Sequence, residues 1–522
     1  MEKGDEKPEV MHHEGARGSS VDLVIDDDAI ENTETGKAVW LISMTASMGG
    51  FLFGYDTGVI SAVLVTLGDA LGHTLSSKEQ ELITSITSGG AFIGAVLAGL
   101  TGDKMGRKFA IYMGCVVFVI GAVIQASAYS LAQMTVGRFV VGFGVGSAAM
   151  IIPLYIGEIA PAKYRGRLIV FDNLCVAGGQ FIAYAIGAGF TELNQGWRYM
   201  VGLGALPAIL LACLLPLCPE SPRHLISHGK VEQAKKVLGQ IFPNGTPAMV
   251  DSKIRVMQNS LELTTSVLSD RTLWWQCKQL FLVPANLRAL TCACAVMAIS
   301  QLGGFNTLMY YSSTLFALVG FNKPVAVSLV VGATNFIFGF ACFFTLDKFG
   351  RRVVLLISVL GMALTLTIAA IAFHWIPVSR DLVLETQGIN WAGSLLLVMI
   401  IFYVAFFAGG VAPIGWVGTE LLPIEVRAMG TMVNTMTCWG CNVIIASTFL
   451  SMMKAMTPSG AFGFYAGICF LGWIFIIFCY PEVHGMPLES VRDVYTHGFG
   501  VKHAKQLQKE MRAVKIARTS SV

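Results

Sequence analysis

Two sequence patterns occur twice in this chain, and the duplication limits what it can fold into more than any other feature. Gly102-Asp103-Lys104-Met105-Gly106-Arg107-Lys108 recurs as Leu346-Asp347-Lys348-Phe349-Gly350-Arg351-Arg352. Glu158-Ile159-Ala160-Pro161, with Arg165 seven residues after the acid, recurs as Glu420-Leu421-Leu422-Pro423 with Arg427 at the same interval. Each copy of the first pattern lies between two apolar stretches long enough to cross a bilayer, and each copy of the second begins where such a stretch ends. The expectation is an all-α membrane protein of two pseudo-symmetric halves. Secondary transporters use that architecture, rocking one half against the other about a central site.

Composition leads to the same place, because 54% hydrophobic and 13% charged residues with a mean hydropathy of +0.64 do not suit a soluble globule. Runs of about 20 apolar residues, the length that spans a hydrocarbon core of about 30 Å, number twelve. Six lie near 38–62, 82–101, 109–128, 132–154, 168–190 and 199–218. Six more lie near 289–316, 325–346, 352–375, 391–417, 428–452 and 460–480. The chain thus divides into an N-terminal tail (1–37), a first six-helix half (38–218), a linker (219–288), a second six-helix half (289–480) and a C-terminal tail (481–522).

Lys and Arg concentrate in cytoplasmic loops. Here Lys104, Arg107 and Lys108, then Lys163, Arg165 and Arg167, then Lys348, Arg351 and Arg352 follow spans two, four and eight. The alternate loops carry single charges such as Lys78, Lys323 and Arg380, so both termini are expected in the cytoplasm. The acidic tail 1–37 has no apolar core of the signal-peptide kind and reads as disordered. The linker reads as short cytoplasmic helices, Val231 to Leu238 having helical periodicity, which makes Asn244-Gly245-Thr246 an accidental sequon. The basic C-terminal tail, with Lys502, Lys505, Lys509, Arg512, Lys515 and Arg518, reads either as solvated or as touching anionic lipid. Of twelve Cys nearly all lie inside spans, and no His stands at ligand spacing from them. Neither a disulfide framework nor a metal site is expected. A net charge of +3 suggests no nucleic-acid partner.

Ionisable groups inside the bilayer are costly unless paired or hydrated, and so mark function. Asp56, in Gly54-Tyr55-Asp56-Thr57-Gly58, lies about 25 Å along the first span at 1.5 Å per residue. Arg138 lies at matching depth in span four. An Arg partner holds a carboxylate ionised and separation favours proton uptake, so the pair can couple a proton gradient to transport. A permanent ion pair that only holds helices together fits the same residues. The duplicated acids and arginines, Asp103, Arg107, Glu158, Arg165, Asp347, Arg351, Glu420 and Arg427, fall at cytoplasmic helix ends. There carboxylates bridge loop arginines and helix termini, as a gate that opens and closes or as static anchors.

Uncharged polar residues outline a substrate site. Asn173 and Gln180 share a face of span five, as do Gln301, Asn306 and Tyr310 on span seven, where Gly303 and Gly304 let the helix bend or break. Asn335, Trp416 and Asn442 add two amides and an indole from spans eight, ten and eleven. Amides both donate and accept, and an aromatic face packs on ring C–H groups. Any one amide serves equally as interhelical glue; the set suits an uncharged polyol or sugar.

Phe53-Gly54-Tyr55-Asp56-Thr57-Gly58-Val59-Ile60, the two Asp-Lys-x-Gly-Arg loops, Pro219-Glu220-Ser221-Pro222-Arg223, Gln301-Leu302-Gly303-Gly304-Phe305-Asn306 and Pro481-Glu482 together resemble the sugar porter branch of the major facilitator superfamily, over roughly residues 38–495. Ala177 to Tyr184, Gly187-Ala188-Gly189 and Ile445 to Leu450 resemble the fungal myo-inositol transporters within it. The resemblance implies proton symport with Asp56 as the acid and Arg138 as its partner. Four positions depart from the pattern: Ser300 replaces the first of two glutamines, Gly415 precedes Trp416 in place of Pro, Cys438 stands where Asn is usual, and Asp172 adds a carboxylate beside Asn173. Ser300, Cys438 and Asp172 are therefore candidate specificity residues.

The resulting expectation is a twelve-span, proton-coupled myo-inositol symporter acting as a monomer in the plasma membrane, with no cofactor. A hexose or other polyol as substrate, or a non-transporting nutrient receptor of the same fold, are the alternatives. No nucleophile, base and orienting acid converge in the loops, so an enzyme is not expected.

Overall fold

The computed structural model describes residues 36–268, 273–379, 388–422, 426–483 and 498–509, together with 30, 31, 33, 382, 384 and 494–496. Most of the tail read as disordered lies outside them, as do Arg512, Lys515 and Arg518. The described chain is almost wholly helical and has the major facilitator fold.

Spans one to five are Lys37–Thr66, Ser77–Met105, Arg107–Ala126, Leu131–Ile159 and Ala162–Phe190, and span six is Gly196–Leu217. Spans eight and nine are Pro324–Phe349 and Arg351–Phe373. Most helices begin before the apolar runs, span five starting at Ala162 where the run starts near 168. The backbone stays helical into the interfacial layer, where Lys and Arg reach water, so charge marks the edge of the hydrocarbon and not the end of the helix.

Among the described residues, eleven helical stretches are long and apolar enough to cross a membrane. The last, Met429–Cys479, is 51 residues long, about 77 Å at 1.5 Å per residue and more than two hydrocarbon thicknesses. It holds two spans. Arg427–Cys479 breaks at Thr457, whose φ of 68° is non-helical, just before Pro458. Spans eleven and twelve are residues 427–456 and 458–479.

Three other irregularities position polar groups. Span seven divides into Pro284–Leu302 and Phe305–Val319. Between them Gly304 has φ 93°, and a side chain there would press on the Tyr465 ring at 3.0 Å. The freed Gly303 carbonyl accepts from the Tyr403 hydroxyl at 2.9 Å, as a broken helix in a membrane requires. Span ten, Trp391–Phe406, widens into a π turn over Phe407–Val411 before Ala412–Val417. The Ser358 hydroxyl donates to Phe406 O at 2.6 Å and accepts from Val411 N–H at 3.3 Å, filling the turn. In the first half, Gly50, Gly54 and Gly58 form a ladder along span one that packs on Asp172, Val176 and Gln180 of span five. Modest Cβ groups at Gly50 and Gly58 would lie 2.6 Å from Asp172 Oδ1 and 2.9 Å from Gln180 O. Small residues four apart permit this close approach.

The linker forms helices Pro222–Ser227, Val231–Ile241, Pro247–Leu268 and Leu273–Leu282. Leu225, Ile226, Ala234, Val237, Leu238 and Ile241 are buried there with Ile30. Both ends of the described chain gather at this end of the bundle. Gly36 N–H bonds Ile241 O at 3.0 Å, Glu31 pairs with Lys253 at 2.8 Å, and Arg288 bonds Tyr495 O at 2.9 Å.

Candidate functional site

Asp56 and Arg138 meet inside the first half, Arg138 Nη1 lying 2.7 Å from Asp56 Oδ1. Asp56 is 5% exposed and Arg138 1%. An exposed pair would be worth little, whereas breaking a buried pair costs roughly 3–5 kcal/mol because it leaves an uncompensated charge. Arg138 Nε also donates to Ile83 O at 3.4 Å, so span two helps to hold the guanidinium.

Around this pair the amides form two strings. In the first, Asn306 Nδ2 donates to Gln301 Oε1 at 2.5 Å, Asn442 Nδ2 donates to the same oxygen at 3.3 Å, and the Tyr310 and Ser88 hydroxyls donate to Asn442 Oδ1 at 3.1 and 2.9 Å. In the second, Asn335 Nδ2 donates to Gln180 Oε1 at 2.7 Å and Gln180 Nε2 donates to Thr57 Oγ1 at 3.1 Å. Thr57 follows Asp56 directly, so the second string runs from span eight to the neighbour of Asp56. Both strings cross between the halves. Hydroxyls of a bound ring can replace these internal bonds without leaving donors or acceptors unpaired, which keeps the exchange close to neutral.

Asn173 and Trp416 are half-buried and are not joined to either string by a described bond. The departures Ser300 and Gly415 are neighbours, a Cβ on Gly415 lying 3.8 Å from Ser300 Cβ. Cys438 is buried between Asn434 and Asn442, one helical turn from each. Asn434 Nδ2 bonds Gly415 O at 3.3 Å. Asn434 was not among the sequence candidates, although its eight-residue spacing from Asn442 places both on one face. Asp172 does not join the amides; its carboxyl turns toward Gly50 of span one.

At the linker end, Arg107 Nη2 and Nε contact Glu158 Oε1 and Oε2 at 2.9 and 3.2 Å, a bidentate pair. Arg107 Nη1 also bonds Gly102 O at 2.6 Å. Glu220 accepts from the Arg107 N–H at 3.1 Å and the Lys108 N–H at 3.3 Å, capping the start of span three. Glu482 does the same for span nine through the Arg352 N–H at 2.9 Å. Gly106 and Gly350, at φ 87° and 81°, leave room for these carboxylates. The duplication therefore has a third member, the Pro-Glu after the sixth and twelfth spans, which sequence reading quoted without giving it this role. Burial holds His224, which stacks on His228 at 4.1 Å near Glu220, below the usual imidazole range. Arg427 donates to Leu422 O at 3.0 Å; the side chains of Asp103, Arg165, Asp347 and Glu420 lie outside the described set, and no described bond places Arg351.

At the opposite end, Glu81 accepts from Ser451 N–H and Oγ at 2.7 and 2.6 Å, joining spans two and eleven. Ser61 contacts Ser312 and Ser313 Oγ, each at 2.9 Å, joining spans one and seven. Tyr184 donates to Met309 O at 2.5 Å, joining spans five and seven. Sequence reading missed all of these. Glu81 sits at the rim of its span and serine hydroxyls are common in helices, so neither stood out.

Residues 42–495 match the family described as sugar (and other) transporter. The chain is 43% identical over 476 residues to Myo-inositol transporter 1 of Cryptococcus neoformans var. grubii, covering 91% of this chain and 84% of that protein. It is 41% identical over 473 residues to Myo-inositol transporter 1 of Saccharomyces cerevisiae, covering 90% and 81%. Among solved structures, the partially occluded inward-open xylose transporter XylE of E. coli aligns with TM-score 0.73 at 26% identity, covering 86% of this chain and 100% of that one. A structure of XylE described as a proton:xylose symporter bound to 6-bromo-6-deoxy-D-glucose aligns at 0.72 and 25% identity, covering 88% and 99%.

Proposed function

Because the chain belongs to the sugar transporter family, a branch of the major facilitator fold, we propose that it carries myo-inositol across the membrane together with a proton, by alternating access and without chemical conversion. The observation that carries the coupling is the buried 2.7 Å Asp56–Arg138 pair, one residue from the Thr57 hydroxyl that ends the Gln180–Asn335 string. Substrate on that string shifts span one against span five. Protonation of Asp56 weakens its hold on Arg138 and lets span one adjust to the string that joins it to the second half. Relatives at 43% and 41% identity carry the name myo-inositol transporter, which favours that polyol over xylose.

In this reading Asn173, Gln180, Gln301, Asn306, Tyr310, Asn335, Trp416 and Asn442 bind substrate. The adjacent pair Ser300 and Gly415, with Cys438, tunes which ring fits. Asp103, Arg107, Glu158, Arg165, Asp347, Arg351, Glu420 and Arg427 act at the cytoplasmic gate. Both termini face the cytoplasm, the halves span 38–218 and 289–480, and a monomer suffices in the plasma membrane. Uptake of labelled myo-inositol into proteoliposomes, with and without an inward proton gradient and against a panel of hexoses, tests the proposal. Accumulation that needs the gradient and is competed by myo-inositol supports it; gradient-independent uptake, or a hexose competing better, overturns the coupling or the substrate.

A further inference from the structure

Asp172 is the one charged residue among the described core of span five that enters neither amide string. It is 8% exposed, and its Oδ1 has no hydrogen-bond partner. It stands at the linker-side end of the glycine ladder, where Gly50 is open enough to admit the oxygen and a Cβ would lie 2.6 Å from it. One turn further toward the linker, the Ser47 hydroxyl faces the carboxyl without reaching hydrogen-bond geometry. Ser43 follows one turn beyond. Ser43 and Ser47 are 1% and 0% exposed, and both hydroxyls are also unpartnered. Three unpartnered oxygens in a dehydrated seam, one of them a carboxylate, are costly unless something binds there.

The charge surroundings narrow what that is. No described ion pair reaches Asp172. On the packed elements the other titratable or charged groups are Lys37, Tyr55 and Asp56 of span one, Arg138, Tyr155 and Glu158 of span four, Tyr164, Arg167, Cys175 and Tyr184 of span five, Arg198, Tyr199 and Cys213 of span six, and Cys342 with the duplicated charges at the end of span eight. Asp56 is held by Arg138 and Glu158 by Arg107. Cys175, three residues on along span five, lies within electrostatic range of Asp172. Three oxygens fall short of the six or more that Ca2+ or Mg2+ takes, and among the described residues no three His, Cys, Asp or Glu gather as a zinc site needs, whereas one proton on the carboxyl turns it into a donor for Ser47.

We propose that Asp172, Ser47 and Ser43 form a second proton-binding site, about 9 Å toward the linker end from Asp56 at 1.5 Å per residue of span one, through which protons exchange with that side of the membrane. On release the Asp172 O–H bond breaks and its proton passes to a water admitted to the seam when the linker end opens, the Ser47 and Ser43 hydroxyls serving that water as hydrogen-bond partners; the hydronium formed leaves by the same path. Each hydroxyl ends as it began. The proposal rests on proton coupling through Asp56, and it gives the released proton a route along span one that avoids the substrate amides.

Infrared titration of the purified full chain reads the site without transport. In the difference between acid-minus-neutral spectra of Asp56→Asn and of Asp56→Asn with Asp172→Asn, a carboxyl C=O band assigned to Asp172 is expected; its absence from that difference overturns the site. Ser47→Ala, which keeps the carboxyl and its packing, is expected to shift the frequency of that band, and an unshifted band counts against Ser47 as its partner. In proteoliposomes Asp172→Asn is expected to slow gradient-driven myo-inositol uptake several-fold, and to slow it more than exchange at equal pH. Equal slowing of the two, or no slowing, overturns the exchange route. Uptake that depends on Na+ when choline replaces it assigns the seam to a metal cation and overturns the proposal. If wild-type uptake ignores the proton gradient, the coupling reading fails, and the infrared band still decides whether Asp172 binds a proton.

Discussion

The two ends of the bundle use polar groups differently. At the linker end the described carboxylate bonds stay within a half, Arg107 to Glu158, Glu220 to the start of span three and Glu482 to the start of span nine, and what crosses on that side is the long Thr435 Oγ1–Met150 Sδ contact at 3.9 Å. At the opposite end they cross between halves, through Glu81 and Ser451, Ser61 with Ser312 and Ser313, and Tyr184 with Met309. A bond inside a half moves with it as a rigid body, whereas a bond between halves must break whenever they separate there. Under the proposed rocking, the linker-end charges act on the gate by bracing each half, and the far-end bonds latch the two halves together. The Asp56–Arg138 pair lies between, inside one half yet adjacent to strings that cross.

The largest expected effect separates coupling from latching. Asp56→Asn is expected to abolish accumulation of myo-inositol against a gradient while exchange of labelled for unlabelled substrate persists, because the amide mimics a protonated acid and cannot release the proton. Concentrative uptake at the wild-type level would remove Asp56 from the mechanism. Next, Gln301→Ala deletes the oxygen that holds both Asn306 and Asn442. With substrate hydroxyls left unpaired, a loss of about 1–3 kcal/mol corresponds to roughly tenfold or more in apparent affinity, measured by equilibrium binding.

Much of this was legible in the sequence for a physical reason. Asp56 and Arg138 are conspicuous because charge in an apolar run is expensive, and Gly303-Gly304 announced the break in span seven because few other residues tolerate φ 93°. The latch was not legible. Ser61, Ser312 and Ser313 resemble ordinary helix-packing residues, and only tertiary structure aligns them. The π turn of span ten was equally hidden, because the Ser358 hydroxyl that fills it comes from another helix. Asp172 was visible as an odd charge, but its direction depends on the Gly50 backbone.

The contrast between the two ends is sharpened by a pair of variants. Glu81→Ala removes a carboxylate that accepts two bonds from Ser451 and leaves the Ser451 N–H without it, at about 1–3 kcal/mol. A cysteine reporter at Asn173 is expected to react faster with an impermeant reagent added from the far side. Glu158→Gln weakens a bond within one half, at roughly 0.5–2 kcal/mol of coupling, and is expected to raise reactivity from the linker side less. Equal effects of the two variants, each on its own side, would erase the distinction between stiffening and latching. The smallest effect is expected from Ser300→Gln with Cys438→Asn, which restores the family's amides and broadens competition toward hexoses. An unchanged competition panel would place specificity elsewhere.

The central claim is that myo-inositol and a proton move together through Asp56. The most direct test loads proteoliposomes with a pH dye, sets equal pH on both sides, and adds myo-inositol outside. The account predicts that the lumen acidifies with wild-type protein and not with Asp56→Asn. Inositol entry with no acidification, or the same acidification from Asp56→Asn, would contradict it.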